Sequence, residues 1–149
     1  MIDLEELEIR AARPEDLPEI LDLLRSNGLV TEGVEDHIGT YVVVRDGGEL
    51  VGCGGSEAYQ FAALVRSVAV REDYRGNGIG RRVVRELIDR LASRGLREFY
   101  LLTIDAEGYF KRRGFRPIDR DEIHPQLLGS AELQGACPDD AVAMRMVMP

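Results

Sequence analysis

Residues 7–11, Leu-Glu-Ile-Arg-Ala, alternate apolar and polar, the period of a strand with one covered face. Pro14-Glu15-Asp16 then predicts a helix start, with proline early and acids in the first turn. Leu17, Ile20, Leu21, Leu23 and Leu24 supply its buried stripe, and Gly28 stops it. A short second helix is expected over 31–38. Tyr41-Val42-Val43-Val44 and Leu50-Val51-Gly52-Cys53 flank Asp46-Gly47-Gly48, which predicts a β-hairpin with a three-residue turn. Gly52, Gly54 and Gly55 should weaken or bulge its second strand. Residues 64–70 predict a further antiparallel strand. Beyond a glycine-rich stretch at 75–80, Ile79, Val83, Val84, Leu87, Ile88 and Leu91 fall on one face of a helix reaching about Ser93, with Gly95 ending it. Phe99-Tyr100-Leu101-Leu102 is nearly all apolar, as in a strand covered on both faces. A short helix over 106–113 stops at Gly114, Phe115 starts an extended piece, and residues 141–148 give a last strand. This is a mixed α/β order without repeat, linker or low-complexity segment.

A chain of 149 residues fits one compact domain, taken as 1–149, with room for a real core. At 44% hydrophobic and 31% charged it has a globular composition, not a disordered one. No apolar run approaches membrane-spanning length. The start Met1-Ile2-Asp3-Leu4-Glu5-Glu6 is acidic, unlike a signal peptide, so a cytoplasmic, membrane-free protein is expected. Cys53 and Cys137 form no CxxC pair, and His37 and His124 are far apart in sequence, so no metal site is expected; each histidine reads as a surface or capping residue.

The net charge of −8 argues against nucleic-acid partners. Its distribution is uneven: residues 71–97 hold eight arginines and four acids, a local +4 in an acidic protein. That segment either meets a specific anion or is an arginine-rich exposed face. Within it, Arg75-Gly76-Asn77-Gly78-Ile79-Gly80 places three glycines between a strand and a helix. Such a loop lets successive backbone N–H groups converge on an anion at the positive end of the helix dipole, with Arg75, Arg71, Arg81 and Arg82 as rim cations. The spacing is neither that of a dinucleotide fold nor the Gly-Lys-Ser/Thr of a triphosphate loop. From the glycines alone, a plain tight turn stays open.

Three pieces occur in a matching order: Val68-Ala69-Val70-Arg71-Glu72-Asp73-Tyr74-Arg75-Gly76-Asn77-Gly78-Ile79-Gly80, the amphipathic helix with its apolar strand, and Tyr109-Phe110-Lys111-Arg112-Arg113-Gly114-Phe115. Together they resemble the GNAT acetyltransferases over about residues 7–118. The resemblance implies an α/β (α+β) fold, a mixed and mostly antiparallel sheet with splayed fourth and fifth strands and flanking helices. It implies acetyl-CoA as cosubstrate, held by Val68, Ala69, Val70, Arg75, Gly76, Asn77, Gly78, Ile79, Gly80 and Arg81. The N–H near Val70 would polarise the thioester carbonyl in the manner of an oxyanion hole. Many relatives carry a tyrosine four residues before the Gly-Phe glycine to protonate the thiolate. Phe110 stands there, and Tyr109 is the neighbouring candidate acid, although one residue along a helix turns a side chain by roughly 100°.

Residues 64–70 and Tyr100-Leu101-Leu102-Thr103 are similar to the acetyltransferase domain of N-acetylglutamate synthase and to arsenic-resistance N-acetyltransferases. The latter likeness extends to Arg120, Glu132-Leu133, Cys137-Pro138, Ala141 and Met144. Both imply a small amine acceptor resembling an amino acid, such as glutamate or an arsinothricin-like analogue. Arg66 is a candidate carboxylate clamp or an outward-facing surface arginine. Ser67 and Thr103 are candidate acceptor residues, with helix capping the competing reading of Thr103. Glu57 and Asp105 are candidate bases, and Cys137 reads as structural. A protein N-terminal acetyltransferase and a non-catalytic acyl-CoA sensor are the rival functions. A homodimer is left open.

Overall fold

The structure is a computed structural model describing residues 2–149. Seven strands form one sheet: β1 (Glu8–Ala11), β2 (Tyr41–Asp46), β3 (Glu49–Ala58), β4 (Ala62–Val70), β5 (Glu98–Thr103), β6 (Arg116–Ile118) and β7 (Val142–Val147), in the order β1-β2-β3-β4-β5-β7-β6. Every neighbouring pair is antiparallel except β4 and β5. Three helices accompany it: α1 (Leu17–Ser26), α2 (Ile79–Ser93) and α3 (Glu107–Lys111). The expected fold is therefore present, with local differences that have physical causes. Residues 35–40 form a 3-10 turn, irregular at His37, where a helix over 31–38 was expected. Asp46 pairs directly with Glu49, so the hairpin turn has two residues, Gly47 and Gly48.

The glycines of β3 do not break it. The strand runs unbroken to Ala58, ten residues in all. A Cβ at Gly54 would overlap Val83 of α2, and one at Gly55 would overlap the Tyr41 ring. Glycine here provides room for close packing on both faces. β3 does bulge beside Gly52, where Val44 opposes Gly52 and Arg45 opposes Leu50, so that Val51 is the extra residue. β4 carries a second bulge: Gly55 opposes Arg66 and Cys53 opposes Ala69, so β4 also spends one extra residue, with Ser67 at φ 62°. That left-handed turn re-aims the strand. Ala63 and Val65 pack under α2, Arg66 faces away, and beyond Ser67 the residues Val68 and Val70 return to the α2 face.

Burial explains the layers. The α2 stripe of Ile79, Val83, Val84, Leu87, Ile88 and Leu91 packs on Val42, Val44, Val51 and Phe99. On the opposite face, Ile20, Leu23 and Leu24 of α1 cover Tyr41, Val43 and Cys53. Near β5, the same face is closed by Ile123 and Leu127 from the 119–140 segment, against Ala62, Leu64 and Tyr100.

Gly55→Ala should cost about 1–3 kcal/mol in urea denaturation through overpacking against Tyr41. Gly48→Ala, which meets no atom within 4 Å, should stay within about 0.5 kcal/mol of the parent.

Candidate functional site

β4 and β5 pair only through Ala62, Ala63 and Leu64 against Glu98, Phe99 and Tyr100, yet β4 continues to Val70 and β5 to Thr103. Past Leu64 the two strands part. The Arg71 N–H donates to Val51 O on the β3 side at 2.8 Å. By strand alternation, the N–H groups of Val70 and Val68 point to the other edge, where β5 has withdrawn. A cavity of about 540 Å³ occupies this gap. Val68, Ala69 and Val70 form one wall, and Arg75, Gly76, Gly78, Ile79, Gly80 and Arg81 form its α2 end. Asn27, Tyr74, Ala106, Tyr109, Phe110 and Arg113 complete it.

The loop at the α2 end has the backbone geometry of an anion nest. Gly76 and Gly78 have φ of 81° and 84°, conformations that side chains disfavour, and Gly78 caps α2. The first-turn N–H groups of a helix have no partners within it and carry roughly half a unit of positive charge. Of the expected cations, only Arg75 and Arg81 line the cavity. Arg71 is held by Glu49 and Asp73, and Arg82 turns toward Leu4 O. Asn77 does not face the cavity: its amide donates to Tyr74 O and Arg75 O and sets the loop from within. Arg75 hydrogen-bonds to Asn27 at the end of α1 and to Val70 O.

Opposite Gly80 stands Tyr109. Its buried hydroxyl has no hydrogen-bond partner and touches the point where a Gly80 Cβ would be. Phe110 lines the cavity too, while its ring packs edge-on to Phe115 at 6.0 Å. The rotation between the two residues thus brings Tyr109 to the α2 end of the cavity. The Arg113 guanidinium lies 3.6 Å over the Tyr109 ring, and its Nε is likewise buried and unpartnered. Burial raises the Tyr109 phenol above its ordinary value against the pull of Arg113, so it holds its proton at neutral pH.

Arg66, Ser67 and Thr103 do not line this cavity. Arg66 is buried on the other face of β4, neither outward-facing nor free. Its Nη1 donates to Glu57 at 2.7 Å and its Nη2 to Glu32 O at 2.6 Å, and Nε lies 3.3 Å from Glu132. Glu57 also accepts from Tyr59 at 2.6 Å and Ser130 at 3.1 Å, with His37 Nε2 3.7 Å away. Ser67 hydrogen-bonds to Tyr41 at 2.7 Å. Thr103 accepts from Ala106 N at 3.0 Å, in the turn just before α3 and not as its N-cap, and His124 caps Gln126 N. Asp105 is exposed. Glu132 was not singled out as a site residue; its signal, a carboxylate in a polar loop, is common. Glu57 was within reach, because extending the β3–β4 hairpin sets it diagonally from Arg66.

A sheet that parts at its one parallel pair, with a glycine nest at the mouth of the gap, defines an acyl-CoA-type transferase architecture. The chain belongs to the acetyltransferase (GNAT) family, whose model matches residues 1–115. It is 35% identical over 98 residues to an uncharacterized N-acetyltransferase of Chlorobaculum tepidum, covering 65% of this chain and 62% of that protein. It is 28% identical to the amino-acid acetyltransferase of Aeromonas salmonicida over 123 residues, 76% of this chain but 28% of that one. The chain thus spans just under two thirds of the first relative's length and under a third of the second's. In fold it is similar to N-acetylglutamate synthase from Neisseria gonorrhoeae, solved with coenzyme A and N-acetyl-glutamate, at TM-score 0.82 and 22% identity, covering 96% of this chain and 35% of that one. It is also similar to Rv2747 from Mycobacterium tuberculosis, solved in complex with CoA, at TM-score 0.79 and 21% identity over 95% of this chain and 99% of that one.

Removing the one cation from the buried cluster should be costly. Arg66→Ala leaves Glu57 and Glu132 uncompensated and should destabilise the protein by about 3–5 kcal/mol in urea denaturation. A loss below about 1 kcal/mol would show that water reaches the cluster.

Proposed function

We propose that the protein transfers the acetyl group of acetyl-CoA directly to the primary amine of a small acceptor resembling an amino acid. The observation that carries this reading is the cavity between the parted strands, which ends on the glycine nest at α2 and holds the unpartnered Tyr109 hydroxyl. Its shape and donors fit acetyl-CoA. The N–H groups of Gly76, Gly78, Ile79 and Gly80, with Arg75 and Arg81, would hold the pyrophosphate. The free edge of Val68, Ala69 and Val70 would pair with the pantetheine arm. Acetyl-CoA supplies the activated thioester, and the Val70 N–H would stabilise charge on its carbonyl oxygen. Aligning amine and thioester contributes most of the acceleration, since effective molarities reach roughly 10⁵–10⁸ M. Tyr109, kept protonated by burial, would donate its proton to the departing thiolate in place of the residue that Phe110 replaces.

Similarity to amino-acid acetyltransferases supports an amino-acid acceptor, and Arg66 is its proposed carboxylate partner. Glutamate and arsinothricin-like analogues are the acceptors favoured by the sequence around residues 64–70, 100–103 and 120–144. Among the described residues no helix is long and apolar enough to cross a membrane. The covered face formed by Ile123 and Leu127 leaves little room for the open groove that a protein substrate requires.

The direct test is thiol release from acetyl-CoA with a panel of α-amino acids, organoarsenical analogues and peptides. Release with small amino acids and not with peptides is expected; release with peptides alone would overturn the reading. Tyr109→Phe should lower kcat about 10²-fold with little change in the KM for acetyl-CoA. Gly78→Val, which forces a side chain into a left-handed position, should weaken acetyl-CoA binding at least about tenfold by calorimetry.

A further inference from the structure

The buried cluster on the face of β4 opposite α2 has one carboxylate too many. Glu57, Arg66 and Glu132 are 1%, 3% and 6% exposed, and they present a single guanidinium to two carboxyl groups. A buried anion in excess of its cations is unstable, so one of the two must take a proton or yield its place.

The two carboxylates are not equivalent. Glu57 lies on β3 within the sheet and receives Arg66 Nη1, Tyr59 Oη and Ser130 Oγ. Burial works against its ionisation, but those donors outweigh it and hold the carboxyl below its ordinary value. Glu132 has one ion-pair contact, 3.3 Å from Arg66 Nε, with the Cys137 thiol beside it. It sits in the 119–140 segment, built of short 3-10 turns and a π turn containing Gly135 at φ 106°. Glu132 can leave without breaking a strand pairing; Glu57 cannot. Arg66 itself lies at the bulge, next to Ser67 and two residues before Val68, which lines the cofactor cavity.

We propose that Glu132 is a resident stand-in for the acceptor's carboxylate: an amino-acid acceptor binds by placing its carboxylate on Arg66 Nε, and Glu132 leaves the cluster with its segment. The exchange replaces one carboxylate on the guanidinium by another, so Arg66 is never left unpaired and no third buried anion is added. It also explains how a fully paired, buried arginine can serve a substrate. The inference rests on the amino-acid acceptor reading given above.

A pH dependence follows. The groups facing Glu132 are Arg66 from β4, Glu57 from β3, Tyr41 from β2 and Cys137 from its own segment, with Arg120 beyond the thiol and His37 against Glu57. Burial, aided by the Glu57 charge and opposed by Arg66, pushes the Glu132 carboxyl up to about 7. Released into water, it returns to the ordinary carboxyl range. The proton therefore binds more tightly while Glu132 is in the cluster, and acid holds it there. Acceptor affinity should rise about tenfold per pH unit as pH climbs toward about 7 and level off above it.

The test is calorimetric titration of the full chain with L-glutamate in the presence of coenzyme A, between about pH 6 and 8, where glutamate's own groups do not titrate. Wild type should gain affinity with pH. Glu132→Ala, lacking the occupant, should bind about tenfold tighter at about pH 6. Both Glu132→Ala and Glu132→Gln should show flat profiles, with His37 unchanged in both. Weaker binding by Glu132→Ala, or a pH slope that survives in both variants, overturns the proposal. Hydrogen exchange on wild type needs no variant: adding L-glutamate should speed exchange at Leu133, Gln134 and Cys137, whose amides are bonded within the segment. Unchanged or slower exchange there contradicts the proposal. If L-glutamate, L-aspartate and glycine bind no form of the protein, the exchange fails whatever acetyl transfer shows. If they bind as described and no amine is acetylated, the exchange stands and the transferase reading falls.

Discussion

After Leu64 the fourth strand carries backbone N–H and C=O groups with no neighbouring strand to receive them. Backbone polar groups that lose both a partner and water are costly, so this edge has to face either solvent or a ligand that can pair with it. Much of the surrounding structure follows from that constraint. The single parallel pairing ends after three residues, α2 begins beside the opened edge, and its glycine loop turns donors toward the same gap. The extra residue at Ser67 divides the labour of β4. Val68 and Val70 are turned toward α2 and the cavity, while Arg66 is turned to the opposite face. One strand thereby presents two chemistries: a neutral hydrogen-bonding edge on one side and a buried, paired cation on the opposite face.

The two sites differ in how their charge is balanced. The α2 end offers partial charges and two rim arginines in a cavity open to water, suited to a multiply charged anion that keeps part of its hydration. The Arg66 cluster is closed and supplies its own carboxylates. A buried arginine cannot wait uncompensated, and Glu57 and Glu132 are the compensation. That need accounts for why a chain with a bulged strand also carries the covering segment of irregular turns at 119–140 over the same face.

Much of the fold was legible because its elements rest on local periodicity. The α2 stripe at Ile79, Val83, Val84, Leu87, Ile88 and Leu91 is the stripe that is buried, and strands β1, β2, β5 and β7 fall within a residue or two of the expected bounds. The glycine loop before α2 was legible for a different reason: its glycines meet a demand of backbone geometry that few other residues satisfy. What could not be read locally depends on contacts distant in sequence. The β3 glycines suggested a weakened or bulged strand; the bulge beside Gly52 is there, but the packing that Gly55 and Gly54 permit was hidden, because their neighbours Tyr41 and Val83 lie 14 and 29 residues away. The bulge at Ser67 leaves no mark in an apolar run, and Glu132 becomes significant only when the chain folds it onto Arg66, 66 residues earlier. Tyr109 beside Phe110 shows the intermediate case. The motif pointed to this turn of helix, and only the packing of Phe110 on Phe115 shows that the neighbouring Tyr109 hydroxyl lies at the α2 end.

The central claim is that the open edge of β4 and the glycine nest of α2 form one binding surface. Backbone amide NMR during titration with coenzyme A tests it most directly. The largest shifts should fall on Val68, Val70, Gly76, Gly78 and Gly80, with far smaller changes at β1 and β2. Shifts concentrated away from the parted strands, or absent at saturating coenzyme A, would contradict it.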